Sequence, residues 1–253
     1  MFAVLTILFS LSSPAQNDSL ISGTHAWNQL KTEKTEAGEK RQILEAKTMH
    51  LDYLEIHATT LMPGKAPHPP HSHNDTEELV IINDGSLKVT IKDSSKILAS
   101  GSVTLIMPGD EHGFVNIGKT PATYFVLRYR SRSTIDSDRG VKAGGSFTVN
   151  WNDLVFKERP KGGARQYYER PTAMLKRAEM HVTTLNEGLQ SHDPHTHIAE
   201  EILLVINGNI EVQIGENHVG ATAGDLVFLS SGILHAPKNI GKGQCMYFAI
   251  QWQ

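Results

Sequence analysis

Two hexamers carry most of the chemistry that this sequence can do. "HPPHSH" occupies residues 68–73 and "HDPHTH" residues 192–197, so the histidine spacing and the inner proline recur after 124 residues. Successive side chains of an extended strand point to opposite faces, which predicts that His71 and His73 share one face, as do His195 and His197. Paired neutral imidazoles suit a borderline divalent metal. A carboxylate follows each pair, at Glu78 and at Glu201, and a further histidine follows at His112 and at His235. Three nitrogens and one anionic oxygen leave positions open on an octahedral ion, which catalysis needs and a closed structural site lacks. For any one of these histidines a satisfied core or surface role is the stronger expectation. Two matching four-residue sets reverse that balance.

Other residues near these sets admit two readings each. His68 and His192 stand three residues before each pair, as groups that orient a ligand or shuttle a proton, or as histidines at a rim. With Glu78 and Glu201 they are the candidate acid–base residues. His57 and His181 lie in "EIHATTL" and "EMHVTTL"; facing inward they approach the metal from the opposite wall, and facing outward, the preferred expectation, they pack between two domains. Arg41 and Arg165 each precede a glutamate by four residues. They anchor a substrate carboxylate or, better suited to their presence in both copies, staple an N-terminal arm. Arg128 has Gln251 as its counterpart, which hints at different pockets.

These motifs sit in a duplicated unit. At an offset of 124, Trp27 aligns with Trp151, Gly64 with Gly188 and His71 with His195; the offset then drops to 123, aligning Glu78 with Glu201, His112 with His235 and Asn116 with Asn239. "LKVTI" (87–91) and "IEVQI" (210–214) alternate apolar and polar residues, the period of a half-buried strand. "EELVII" running into "NDG", and "EILLVI" into "NG", carry a hairpin signal. "SVTLIM" (102–107) and "DLVFLS" (225–230) are further strands, and no long stretch carries a helical stripe. Two all-β sandwiches or barrels are predicted, over 27–130 and 146–253, with the Ser-, Gly- and Asp-rich segment 131–145 as linker.

On these residues the chain resembles the cupin superfamily, and specifically the bicupins. Gly64, His71, His73, Glu78 and Gly85 resemble the family's first motif, as do Gly188, His195, His197, Glu201 and Gly208. Gly101, Gly109, His112 and Asn116 resemble its second, as do Gly224, Gly232, His235 and Asn239. Both copies place six residues, not five, between the first glycine and histidine, and Met107 and Ser230 stand where the second motif has proline. The resemblance implies two tandem jelly-roll (double-stranded β-helix) barrels. It also implies one divalent transition metal per barrel, held by His71, His73, Glu78 and His112 and by His195, His197, Glu201 and His235. Mn, Fe, Co, Ni, Cu and Zn all accept such donors. The activity it implies first is that of a quercetinase-like dioxygenase, in which the substrate is held deprotonated and the glutamate takes its proton. The alternatives are isomerase, hydrolase or lyase action on a sugar acid or keto-sugar, and metal or small-ligand binding without turnover. Oxalate-decarboxylase chemistry is less attractive, because no segment marks the flexible lid that carries its acid residue.

Bulk properties narrow the partners. With 24 basic and 27 acidic residues among 253, no basic stripe for nucleic acid or membrane lipid is supported, and the partner expected is a small-molecule substrate. A homo-oligomer is compatible with the sequence. The single cysteine, Cys245, excludes an intrachain disulfide and reads as a small buried apolar residue. "MFAVLTILFSLSSPA" (1–15) resembles a signal peptide, apolar and ending in small residues, though no Lys or Arg precedes it. It predicts a periplasmic or secreted protein, the alternative being an ordinary buried N-terminal segment of a cytoplasmic one, with no membrane insertion of the mature chain.

Overall fold

The computed structural model describes residues 19–253; the signal-peptide reading of residues 1–15 lies outside them. The described chain is all-β apart from short helical turns. The first copy contributes β1 (Gly23–His25), β2 (Thr32–Thr35), β3 (Gly38–Ala46), β4 (Leu51–Leu61), β5 (Glu77–Asp84), β6 (Ser86–Ile91), β7 (Ser94–Ala99), β8 (Val103–Ile106), β9 (His112–Asn116) and β10 (Ala122–Ser131). After α1 (Ser137–Lys142) the second contributes β11 (Phe147–Val149), β12 (Lys157–Arg159), β13 (Gly162–Arg170), β14 (Ala178–Leu185) and β15 (Glu200–Asn207). It ends with β16 (Asn209–Ile214), β17 (Asn217–Thr222), β18 (Leu226–Leu229), β19 (His235–Asn239) and β20 (Cys245–Trp252). Each barrel joins a seven-stranded sheet to a three-stranded one: β2-β3-β4-β10-β5-β8-β11 with β7-β6-β9, and β12-β13-β14-β20-β15-β18-β1 with β17-β16-β19.

Strand parity divides the core in three. Leu54, Ile56 and Ala58 of β4, with Phe125 and Leu127 of β10, face away from the first barrel's interior and meet Met180, Val182, Ile202 and Phe248 of the second. The two large sheets therefore pack against each other through their outer faces. The alternate residues, such as Leu61, Val80, Val126 and Tyr124, fill the first barrel, and Leu185, Leu203, Val205 and Tyr247 the second. Cys245 is buried in that second interior, as its apolar neighbours imply.

The two copies exchange their leading strands. β1 pairs with β18 of the second barrel and β11 with β8 of the first, so each large sheet is completed by a strand that precedes the other barrel. This explains the two prolines missing from the second motif. The backbone N–H of Met107 donates to Ser146 Oγ and that of Ser230 to Ser22 Oγ, each at 2.8 Å, and a proline has no N–H to donate. The segment 131–145, read as a linker, contains α1, whose first turn is capped by Asp136 accepting from the Arg139 N–H. Six residues are too few to leave a periodic stripe in the sequence.

The hairpins expected at "NDG" and "NG" do not form. β5 pairs with β8 and β10, while β6 pairs with β7 and β9; the same holds for β15 and β16. Gly85 and Gly208 adopt φ of +82° and +79° and hand the chain from one sheet to the other. A Cβ there would stand 2.7 Å from Ala122 Cβ or 2.8 Å from Cys245 Cβ, so only glycine fits the corner.

Candidate metal centres

The His-x-His pairs do not lie on regular strands, as their alternation suggested. His71 makes an isolated antiparallel bridge to His112, and His195 one to His235; His73 and His197 lie in extended loop beyond these bridges. The prolines before each pair remove the N–H groups that a longer ladder would require. The single bridge is enough. In the first barrel it sets His71 beside His112, and Gly109, whose N–H donates to the His73 carbonyl at 2.7 Å, holds the next histidine.

In the first barrel all four expected donors converge. The Nε2 atoms of His71 and His73 are 2.9 Å apart, and with His112 they form a cluster whose donor atoms lie within 4.8 Å of one another. Glu78 places its two oxygens 3.4 Å from His73 Nε2 and 3.6 Å from His112 Nε2. In the second barrel His197, Glu201 and His235 form one such cluster, with Glu201 3.3 Å from both imidazoles. His195, which is exposed, swings toward His192, their Nδ1 atoms 2.9 Å apart, and the two form a second cluster with His235. The second set is thus more open than the first. His68 is exposed at the rim and packs edge-on against His71, ring centroids 4.2 Å apart; His192 is half-buried.

Ring orientation tests whether a cation fits. His112, His197 and His235 donate Nδ1–H to the carbonyls of Asp110, Ala199 and Ile233 at 2.8–3.0 Å, which makes Nε2 the lone-pair nitrogen of each neutral ring. Among the described residues, His112 Nε2 and His235 Nε2 are buried with no hydrogen-bond partner. Two buried lone pairs without donors, each facing a carboxylate and a second imidazole, fit a divalent metal ion. Burial works against ionisation of Glu78 and Glu201, but His112 and His73, and His197 and His235, outweigh it and hold both carboxyls at about 2. His71 is pulled down to about 4 by burial and by its neighbouring imidazoles. Glu78, Glu201 and His71 are therefore held in their metal-binding protonation states. Asn116 and Asn239, the last residues of the second motif, serve the fold: each side-chain amide donates to two carbonyls, Leu61 and Thr120 in one copy and Leu185 and Gly243 in the other.

Each set opens on a cavity, of about 350 Å³ in the first barrel and 440 Å³ in the second. Here the expectation for His57 and His181 is corrected: both line these cavities instead of packing between the barrels. Their parity explains it, since Ile56 and Ala58 take the interface and residues 55, 57 and 59 the interior. Arg41 and Arg165 lie outside the described donor sets; they stack on Trp27 and Trp151 at 4.7 and 4.4 Å, stapling the arms by cation–π contact rather than through Glu45 and Glu169. Glu169 pairs with Arg177 instead. Arg128 reaches the first cavity beside Glu55 and Tyr53, and Gln251 lines the second. Lys40, Tyr53 and Glu55 drew no attention in the sequence; the repeated Glu-x-His of β4 and β14 was the only signal that could have found Glu55.

The comparisons agree with this architecture. The "Cupin domain" family model matches residues 58–128 and 181–251, more than half of the chain. No curated protein matches the sequence. Among solved structures, AerE from Microcystis aeruginosa is similar over 88% of this chain and 97% of its own, at 18% identity and a TM-score of 0.69. An oxalate decarboxylase from Lactobacillus farciminis, in complex with formate, is similar over 92% and 87%, at 14% identity and a TM-score of 0.71. The oxalate decarboxylase of Bacillus subtilis, which has Mn(II) centres, is similar over 94% and 79%, again at 14% and 0.71. At these identities the likeness carries the fold. With two matches to one family model, two barrels of one design and an exchanged strand in each, this chain belongs to the cupin family as a bicupin.

Proposed function

We propose that this bicupin is a metal-dependent enzyme acting on a small, oxygenated and anionic organic molecule, by isomerase- or lyase-type chemistry on a sugar acid, keto-sugar or related hydroxy- or oxo-acid. The observation that carries the reading is the buried, unpartnered His112 Nε2 beside His71, His73 and Glu78, the last three of which line a cavity whose wall also holds Lys40 and Arg128. A divalent metal bound there supplies a Lewis acid for a carbonyl or hydroxyl oxygen. His71, His73, His112 and Glu78 would hold it, and His195, His197, His235 and Glu201 its counterpart. Lys40 and Arg128 attract and orient an anionic substrate, and the barrel walls limit water around it. The proposal includes export of the mature chain, which the N-terminal apolar run supports.

The second reading is quercetinase-like dioxygenation, which the three-histidine, one-glutamate donor set of the first barrel favours. The charged wall opposite that set suits a polar anion better than a flavonol, and this places the isomerase or lyase reading first. Metal content by mass spectrometry, followed by NMR of uronates, keto-sugars and oxo-acids incubated with the metal-loaded protein, tests the proposal. Oxygen uptake on a flavonol panel tests the second reading. Purified protein that takes up no divalent metal would sink both.

A further inference from the structure

Each cavity contains, apart from the metal set, a second group of chemically active side chains. In the first barrel His57 Nδ1–H donates to Glu55 Oε1 at 2.7 Å; in the second, His181 Nδ1–H donates to Glu179 Oε1 at 2.8 Å. Both carboxylates are buried, and both imidazoles are half-buried and line the cavity. Neither His57 Nε2 nor His181 Nε2 has a protein partner among the described residues, and neither is sealed from solvent.

Strand register fixes how these pairs face the metal sets. Glu55 of β4 lies opposite Arg128 of β10, which lies opposite Glu78 of β5. Glu179, Gln251 and Glu201 form the same row in the second barrel. With strands about 4.8 Å apart, Glu55 and Glu78 start roughly 10 Å apart on one inner face, with His57 one pleat further along. That gap accommodates a molecule of a few carbons, held at one end by a metal and approached at the other by an imidazole. A buried carboxylate bonded to Nδ1–H fixes the tautomer, leaves Nε2 as the basic nitrogen and stabilises the imidazolium that forms when it takes a proton.

We infer that Glu55–His57 and Glu179–His181 are the proton-transfer dyads of the two barrels, with His57 and His181 as the catalytic bases and Glu55 and Glu179 as positioning residues. The inference rests on the function proposed above and specifies its chemistry: a carbon acid next to a carbonyl. His57 Nε2 takes the proton from the carbon adjacent to the carbonyl; the C–H bond breaks and its electron pair enters the substrate as an enolate. Where that carbon carries a hydroxyl, the hydroxyl proton passes to the former carbonyl oxygen and His57 Nε2 returns its proton to the former carbonyl carbon. Carbonyl and hydroxyl have then exchanged places with no net oxidation, and His57 is neutral again. The flanking groups differ between copies. Glu55 has Arg128 at 3.5 Å and Lys40 at 3.7 Å, whereas Glu179 accepts from the neutral Gln166 amide at 2.7 Å. The first barrel thus holds its cations directly on the dyad carboxylate, whereas the second carries Arg159, Lys161 and Arg177 elsewhere on its cavity wall.

Two measurements on the full chain test this. Long-range nitrogen–proton NMR of the metal-free protein should show His57 and His181 as Nδ1–H tautomers, shifting toward Nε2–H in Glu55→Ala and Glu179→Ala. An Nε2–H tautomer in the unmodified protein overturns the inference without reference to activity. Metal-loaded protein is then incubated in D2O with a panel of 2-oxo acids and keto-sugar acids, and deuterium uptake at carbon is followed. His57→Gln combined with His181→Gln should slow uptake by roughly 10²–10⁴-fold with metal content unchanged. Glu55→Gln with Glu179→Gln, which keeps the hydrogen bond but removes the charge, should slow it by about tenfold or more while the tautomer is retained. A purely structural glutamate would leave the rate alone. Uptake that survives the double histidine variant overturns the dyad and leaves the functional proposal standing; a metal-loaded protein that exchanges no compound overturns both.

Discussion

A histidine that binds a cation through Nε2 needs a fixed acceptor for its other nitrogen, and His112, His197 and His235 each find one in a carbonyl two residues away. That local geometry makes ligation separable from folding. His195→Ala with His197→Ala should lower metal content from about two ions per chain to about one and leave circular dichroism unchanged; wholesale unfolding would show the ions to be structural. Acid should release metal by a specific route. Burial pulls His112 down, but Glu78 outweighs it and leaves the imidazole above its usual value of 6.5, and the hydrogen bond to Glu201 raises His197 in the same way. Metal binding displaces these protons, so affinity should rise with pH through and just above 6.5 and then level off, as read by titration with a chromogenic chelator. The residue types and their spacing made the ligand sets legible in the sequence, because eight donors in two matching sets are hard to produce by packing alone. His57 was not legible in this way. "EIHATTL" puts Glu55, His57 and Thr59 on one face of its strand and Ile56 and Ala58 on the other, and nothing local says that the polar face is the inside because the apolar one is buried against a second barrel.

The elements show the same division between what is local and what is not. The strands at 86–91, 103–106, 209–214 and 226–229 follow from alternation and β-branched residues. The pairing between β1 and β18 joins residues about 200 positions apart, and no periodicity records it. Nor could the turn glycines say whether the next strand would fold back as a hairpin or cross to another sheet. The exchanged arms rest on two further glycines. Gly101 has φ of +84° and lies under the Trp151 ring, where a Cβ would come within 2.7 Å of the indole; Gly224, φ +92°, holds Trp27 in the same way. Tyr167 also donates to the Gly101 carbonyl, and the Trp151 N–H to Ser102 Oγ at 3.1 Å. Gly101→Ala should therefore destabilise the protein by about 1–3 kcal/mol through backbone strain alone, and by more if the Trp151 arm is displaced. Thermal denaturation measures the loss, and faster hydrogen exchange confined to β11 and β8 would locate it. Gly64→Ala is the control: its φ is +75° but nothing lies within 4 Å of the added Cβ, so only the strain contributes.

At the scale of the whole molecule, two barrels share one core and hold each other with charges buried beside the metal sets. In the metal-free chain, acid acts first on the donors. Glu78 and Glu201 fall from the usual 4.5 to about 2, and His71 from 6.5 to about 4, so in each case the unfolded chain takes up the proton before the folded one. Stability should therefore decline as pH falls from 6.5 toward 4 through His71 and from 4.5 toward 2 through the carboxylates. Denaturant midpoints across that range measure it, and a flat profile would contradict the charge pairing. The residue before each metal-facing glutamate points the other way, into the opposite barrel. Glu77 accepts from Tyr129, from Thr172 Oγ1 and from the Met174 N–H; Glu200 accepts from Trp252 Nε1, from Thr48 Oγ1 and from the Met49 and His50 N–H groups. One strand thus sets a metal ligand and an inter-barrel clamp on adjacent residues. Glu200→Ala leaves four donors without an acceptor, at about 1–3 kcal/mol for each one that water does not reach. Because Thr48, Met49 and His50 belong to the first copy and Trp252 to the second, the loss falls on both barrels. Unfolding should stay a single transition at a lower midpoint, with hydrogen exchange accelerating on both sides of the shared core. Two separated transitions, with the second barrel melting alone, would show instead that the barrels are stable individually and that the exchanged strands and clamps contribute little to cooperativity.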